Sequence, residues 1–487
     1  MKKVIIIGAG IGGLVAGNLL AKKGHQVTIF EAHTTPGGYT AGFRRKGFYF
    51  ESGTLSFEAS AQVFKAMKDI GVFDKIGFVR HRIRFLSNEF DGSPKTYQEF
   101  KKLFYDAYPS EKDRLDRYFA EVDKMYAAMK GIASEGSILS KIAGGIHAML
   151  LYAKYHKVPL SQFTRQYFDP DSKLYRMFKG IGYPDMSAWI LGGAMWSIFE
   201  DYWSVQDGMQ SWADVLANQF KQFGGELKLH AAVDKILTKN GMAIGVRCQN
   251  TDYEADYVIS ASDYKKTFLK LLDKADVPDE MYAKITQTSV SEGVFVVYLG
   301  LKISNETLQQ YLKAPYVMYL DTTADADIQK PNDARYFEKV GFSLYSLSLH
   351  NPKLAPEGKS SLMITTGTPY RWLNNWGGDD RQQYLELKEQ VMRTLIDRAS
   401  LVIPNLKDVI EVQDAATPLT FESYTHNTDG ATSAWSWNPH KKFYKQFWST
   451  NVTTPIQNLL IGSCWATQIG GIPGAIGAAY KCVKRIK

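Results

Sequence analysis

The sequence predicts an α/β fold in which a parallel sheet flanked by helices is interrupted twice, once by a helical insertion and once by a second sheet. Three observations carry this. The chain opens with a strand, a glycine-rich turn, a helix and a second strand that ends on an acid. Residues 97–205 are patterned mostly as helix. Between residues 285 and 408 the apolar runs are short and strand-like.

Val4-Ile5-Ile6-Ile7 is β-branched throughout, as expected of a strand buried on both faces. Gly8-Ala9-Gly10-Ile11-Gly12-Gly13 follows and fits G-x-G-x-x-G. Leu14, Ala16, Leu19, Leu20 and Ala21 recur at helical spacing, and Lys22-Lys23-Gly24 closes the helix with cations and a glycine. Val27-Thr28-Ile29-Phe30 is the second strand. Glu31 ends it, 18 residues after Gly13. This is a Rossmann-type dinucleotide fingerprint. Gly8 permits the tight turn, Gly10 lets backbone approach a pyrophosphate, and Gly13 lets helix and strand pack closely. Ala9 and Gly12 complete the candidate phosphate-binding turn at a helix N-terminus. Glu31 stands where a carboxylate accepts hydrogen bonds from an adenosine ribose, and it disfavours a 2′-phosphate. The uncharged run Val4–Ala21 imitates a targeting or membrane segment, but its five glycines, Asn18 and the acid ending the second strand favour a nucleotide site.

The rest of the chain builds around that unit. Pro36-Gly37-Gly38-Tyr39 is a turn where backbone comes close to a ligand, and residues 43–50 form a hairpin leading to Glu51-Ser52-Gly53. The helical insertion holds a basic amphipathic stretch, 136–168. Ile138, Leu139, Ile142, Ile146, Met149 and Leu150 accompany Lys141, Lys154, Lys157 and Arg165, with no acid in between. Such a stretch suits an anionic membrane surface, or a helix docked on its own domain. Residues 211–223 form a helix and 226–259 a β-meander turning at Asn240-Gly241. In the second excursion Phe295, Val297 and Leu299 alternate with Val294, Val296 and Tyr298, so both faces of that strand are apolar. A helix spans 380–401. Asn458–Gly462 is a last strand, and Gly470-Gly471-Ile472-Pro473 opens a helix over 474–486.

Bulk properties narrow the classes. The chain has 487 residues, 22% charged and 45% hydrophobic, a net charge of +8 and three cysteines. Cys248, Cys464 and Cys482 have no metal-ligand spacing and make no disulfide framework, so no metal is expected and a cytoplasmic location fits. The charge is modest and no compact basic tract suggests nucleic acid. No second strand–glycine–helix fingerprint exists, which argues against a built-in NAD site.

The order of motifs resembles the flavin-dependent amine-oxidase-like superfamily, and within it the phytoene desaturase, carotenoid isomerase and retinol saturase group. The resemblance is carried by Gly8 to Glu31, Gly37-Gly38, Gly47 to Gly53, Asp207-Gly208-Met209 through Val233, Thr417-Pro418 with Asn427 to Gly430, and Leu460-Ile461-Gly462 with Gly470 to Gly474. It implies FAD. By resemblance Val233 meets the adenine through its backbone, and Gly37, Gly38 and Gly53 run close to the flavin side. Gly462 and Ser463 lie by the ribityl and pyrophosphate groups. Gly471 and Ile472 begin the helix whose positive end meets the flavin pyrimidine. Two positions depart from the pattern: Ser463 replaces a frequent Asp, and Tyr39 a frequent Arg or Lys.

The resemblance implies domains of 1–95, 206–284 and 409–487 for FAD, 96–205 as a lid-like insertion and 285–408 for substrate. It also implies a desaturase, saturase or isomerase acting on carbon–carbon bonds of a hydrophobic polyene, retinoid or fatty-acid-like molecule, with the electron partner open. An amine-oxidase-type enzyme, with a cage drawn from Trp435, Trp437 and Trp465, and a non-enzymatic prenyl-binding escort protein are the alternatives. Glu51, an acid beside the expected flavin, is the candidate catalytic residue. Its other reading is a structural hydrogen bond.

Overall fold

A computed structural model describes residues 1–133, 138–321, 332–447 and 449–487, with the side chains of 132–144 outside the description. Of the basic amphipathic stretch, Gly136 and the side chains of Ile138, Leu139, Lys141 and Ile142 therefore lie outside the described residues.

The fingerprint sits at the centre of a five-stranded parallel sheet, in the order Leu459–Ile461, Tyr257–Ser260, Lys3–Ile7, Gln26–Phe30, Glu226–Lys228. Distant stretches of chain thus meet in one sheet. Val4, Ile5, Ile6 and Ile7 are all buried, as their β-branched run predicts. The helix Ile11–Lys22 packs against Gly471–Arg485 on one side and Met209–Gln222 on another. A three-stranded antiparallel meander, Val233–Lys239, Met242–Cys248 and Thr251–Glu254, lies beside this sheet.

The second sheet has seven strands, in the order Ile410–Ala416, Gly293–Leu301, Ser360–Thr368, Phe342–Tyr345, Tyr316–Tyr319, Ile83–Leu86, Asp91–Gly92. Its edges come from outside 285–408. Ile83–Leu86 and Ile410–Ala416 are too short or too mixed in polarity to announce themselves. The long strand Gly293–Leu301 is buried on both faces, as its pattern predicts. Phe295, Val297 and Leu299 join a core covered by the helix Arg381–Ala399. Val296 and Tyr298 face the core shared with the helical insertion. That insertion contains the helices Tyr97–Ala107, Lys112–Ala133, Ile138–Tyr155, Leu160–Thr164, Lys173–Lys179 and Ala188–Glu200. Phe100, Phe104, Tyr118, Phe119 and Phe178 fill its interior.

The last helix differs from the sequence reading. It runs Gly471–Arg485, three residues earlier than the expected start at 474, with Pro473 inside its first turn. Gly471, at φ +77°, becomes its first residue.

Candidate active site

A cavity of about 1090 Å³ runs from the end of the first two strands to the border of the second sheet. That exceeds the usual range of small-molecule sites, about 300–1,000 Å³, and suits an extended ligand. Two helix N-termini open onto it: Gly10 precedes Ile11–Lys22, and Gly471 begins Gly471–Arg485. Neither helix has an acid in its first turn. Their free N–H groups and dipoles therefore favour an anion in the cavity.

The glycines divide by what surrounds them. A methyl group at Gly13 would stand 2.0 Å from Gly8 O, and one at Gly12 would stand 2.2 Å from Gly462 O. These two are closed by protein: Gly13 seats the helix on the first strand, and Gly12 seats it on the last. A methyl at Gly10 would find its nearest protein atom, Gly37 O, at 3.9 Å. That open face is the approach a pyrophosphate needs. Gly8, at φ +99°, makes the turn, and its N–H donates to Phe30 O at 2.7 Å. Ala9 N–H donates to Glu31 Oε2 at 2.7 Å and His33 N–H to Glu31 Oε1 at 2.9 Å. The carboxylate thereby braces the phosphate turn, and each oxygen keeps a lone pair for a ribose hydroxyl.

Gly8, Gly10, Gly12, Glu31, Gly37, Gly38, Tyr39, Val233, Ser463, Gly471 and Ile472 all line the cavity, so residues far apart in sequence are brought together. Ala9, Gly13, Gly53 and Gly462 stand behind its wall. A methyl at Gly53 would lie 2.5 Å from Tyr39 O, so this glycine admits the Tyr39 backbone. The Tyr39 hydroxyl donates to Ala431 O at 3.0 Å, and its ring stacks on Phe421 at 6.0 Å. A tyrosine here ties the 430 loop to the turn, a role for which an Arg or Lys is not needed. Ser463 Oγ donates to Ser262 O at 2.8 Å and keeps its lone pairs for a ligand. Cys464 lines the cavity too, but burial pushes its thiol up to about 12, which leaves it without thiolate character.

Glu51 is elsewhere. It is fully buried, with Oε1 and Oε2 accepting from Met209 N–H at 3.0 and 3.2 Å and Oε2 accepting from the Tyr49 hydroxyl at 2.9 Å. It caps the helix Met209–Gln222, whose preceding Gly208 offers no side chain. Burial pushes its carboxyl up to about 8 against the pull of those hydrogen bonds. It is not on the cavity wall.

Sequence reasoning missed Asp263, Asn427, Thr432 and the placement of Trp465, all on the wall. Asp263 accepts from Lys266 N–H and Thr428 N–H, both at 2.7 Å, and so joins the third parallel strand to the 430 loop. Its signal was present: Ser260-Ala261-Ser262-Asp263 ends a strand beside the fingerprint. Trp465 Nε1 donates to Asn427 Oδ1 at 2.9 Å. Of the three tryptophans considered for an amine cage, Trp435 is in the core, stacked on Phe443 at 4.0 Å, and Trp437 packs against Tyr183 with tilted rings 4.5 Å apart. Only Trp465 of the three is on this wall. Among the described residues no cluster of His, Cys, Asp and Glu could hold a metal ion.

Comparison with known proteins agrees with this architecture. Residues 11–487 match the family described as flavin containing amine oxidoreductase. The chain belongs to this family. Among similar proteins is a 4,4′-diapophytoene desaturase (4,4′-diapolycopene-forming) of Methylomonas sp, 25% identical over 486 residues, covering 91% of this chain and 88% of that one. Prolycopene isomerase 1 of an Oncidium hybrid cultivar is 26% identical, covering 88% and 74%. An all-trans-retinol 13,14-reductase of Danio rerio is 24% identical, covering 98% and 84%. In fold the flavin-family chain is similar to a putrescine oxidase bound to putrescine, with a TM-score of 0.67, 16% identity and coverage of 100% and 98%. It is also similar to an oxidoreductase from Methanosarcina mazei, with a TM-score of 0.65, 14% identity and coverage of 99% and 100%.

Proposed function

We propose that the cavity holds FAD and that the enzyme acts on carbon–carbon single or double bonds of a hydrophobic polyene, retinoid or fatty-acid-like substrate. The observation that carries the cofactor assignment is that two acid-free helix ends open onto one cavity that Glu31 also lines. In this reading Glu31 and the Val233 backbone hold the adenosine, and the Gly8–Gly12 turn with Ser463 holds the pyrophosphate. Gly38, Tyr39 and the Gly471 N–H flank the ring system. A bound flavin supplies two-electron chemistry, and the chain's residues orient it and keep water away. The named relatives act on polyenes or a retinoid, and the aromatic border of the cavity, Phe43, Tyr298 and Phe421, suits such a partner. The placement of Trp435 and Trp437 off this wall favours the alkene reading over amine oxidation.

The purified protein is expected to be yellow, or to turn yellow on incubation with FAD, and to bleach with dithionite. Protein that binds no FAD at micromolar concentration would exclude the assignment. FAD at about 100 times its Kd is expected to stabilise the fold by about 2.7 kcal/mol, read as a rise in Tm.

We also propose contact with an anionic membrane surface. Ile146, Met149 and Leu150 on the helix Ile138–Tyr155 are more than half exposed, and Lys157 and Arg165 are exposed nearby. Lys154 is engaged with Glu121 at 3.1 Å. Among the described residues no helix is long and apolar enough to cross a membrane, so the contact is peripheral. Liposomes rich in anionic lipid are expected to float the protein at low salt. A triple change of Ile146, Met149 and Leu150 to serine should leave it at the bottom of the gradient, and flotation unaffected by that change would refute the contact.

A further inference from the structure

Glu58 stands beside Gly471, a residue of the cavity wall, and the backbone on both sides of it is pinned. Before it, Phe57 and Trp203 exchange N–H···O bonds of 2.8 and 2.9 Å. After it, Ala59 is left-handed at φ 54° and ψ 47°, a conformation that an alanine rarely adopts. The helix Ser60–Ile70 then begins without a cap of its own. Instead Asp201 Oδ2 accepts from Ser60 N–H at 3.0 Å, and Gln62 Nε2 donates to Pro473 O at 2.9 Å. These contacts hold Glu58 against the first turn of Gly471–Arg485. Glu58 Oε1 lies 3.7 Å from where a Cβ of Gly471 would stand, as near as Pro473 Cδ of the same turn.

No cation or side-chain hydrogen bond engages the Glu58 carboxyl among the described residues. Burial is the main cause that pushes it up to about 7, and the Asp201 charge adds to this. The other titratable groups within its field are the Tyr183 and Tyr202 hydroxyls, since the first turns of the two helices packed against it contain none. A carboxyl poised near neutrality, engaged by its own backbone N–H with no cation or other side chain, and set beside a residue of the cavity wall is suited to proton transfer.

Changing a C=C bond by two hydrogens needs more than a flavin. In saturation, one C–H bond would form with a hydride equivalent that a bound reduced flavin would supply, and the alkene π pair would take a proton to form the other. Desaturation is the reverse. We propose that Glu58 supplies and removes that proton, its Oε1–H bond breaking in saturation with the electron pair left on the carboxylate, and forming in desaturation. This rests on the FAD reading above.

The test uses the FAD-loaded full chain and its Glu58→Gln variant, whose neutral, near-isosteric side chain spares the fold. The midpoint potential of the bound flavin is measured by dye equilibration at about pH 6 and about pH 9, either side of the carboxyl's titration. The variant is expected to match the wild type at the lower pH, where Glu58 is neutral, and to have a higher potential at the upper pH, where a negative charge beside the flavin has been removed. With 4,4′-diapophytoene or all-trans-retinol, kcat should fall about 100-fold with KM unchanged. Equal potentials at both pH values, or undiminished turnover, would overturn the assignment of Glu58. A wild type that takes up no FAD would instead overturn the reading beneath it.

Discussion

Gly13→Ala is expected to unfold the nucleotide domain, whereas Gly10→Ala, three residues earlier, is expected to leave the fold intact and remove the cofactor. The contrast follows from what a single methyl meets. At Gly13 it would stand 2.0 Å from Gly8 O, a backbone atom at the tight turn that cannot move aside without parting the helix from the first strand. Overpacking costs about 1–3 kcal/mol and occasionally more, and a backbone obstacle at 2.0 Å puts this site at the upper end, a large part of the roughly 5–15 kcal/mol by which a domain is stable. At Gly10 the backbone is extended, φ −69° and ψ 176°, which alanine adopts freely, and the nearest protein atom is 3.9 Å away. The methyl fills space reserved for the pyrophosphate. FAD affinity should fall roughly 100-fold, or about 2.7 kcal/mol, with the Tm of the apoprotein unchanged. Thermal melts of both apoproteins and a fluorescence titration with FAD decide it. Equal loss of stability in the two variants would refute the division of roles.

The difference between these glycines shows what was legible in the sequence. That the turn binds a dinucleotide could be read from residues 4–31, because a strand, a tight turn and a helix are local and each residue type has a local reason. Which glycine faces the ligand and which faces protein could not be read for Gly12, because its neighbour is Gly462, on a strand that arrives 450 residues later. The same limit explains the missed outer strands of the second sheet. Ile83–Leu86 pairs with Tyr316–Tyr319, and Ile410–Ala416 pairs with Gly293–Leu301, so what makes them strands is a partner and not their own composition. Glu58 is a third case. Nothing around it in sequence marks it. Its interest comes from a carboxyl with no cation beside it, set against Gly471 by contacts to Trp203, Asp201 and Pro473.

Glu51 gives the second large effect, and its sign runs against the usual one for a carboxylate. Most native carboxylates are paired and titrate low, so a protein gains stability as they ionise. Glu51 is buried with no cation, and its carboxyl is held at about 8 against an ordinary 4.5. Between those values the folded state keeps a proton that the unfolded chain has released, so stability falls as pH rises through this window. Below it both states are protonated and the penalty vanishes; above it both are ionised and the penalty is complete. The span corresponds to about 4–5 kcal/mol. Glu51→Gln imitates the protonated form: its carbonyl still accepts from Met209 N–H, and its amide faces the Tyr49 oxygen. Urea midpoints measured at about pH 5, 7 and 9 should decline for the wild type, and the variant should lose most of that decline and be the more stable protein at the highest pH. A wild-type curve that rises with pH would show that Glu51 is ionised in the fold. Because the carboxyl caps a helix behind the cavity wall, the variant should also take up FAD as the wild type does. A buried acid with a raised titration is the usual mark of a catalytic group. Here that mark falls on Glu51, Glu58, Glu292 and Asp263, and geometry separates the first two: Glu51 spends its oxygens on Met209 and Tyr49, while the Glu58 carboxyl is engaged by its own backbone N–H and stands beside Gly471.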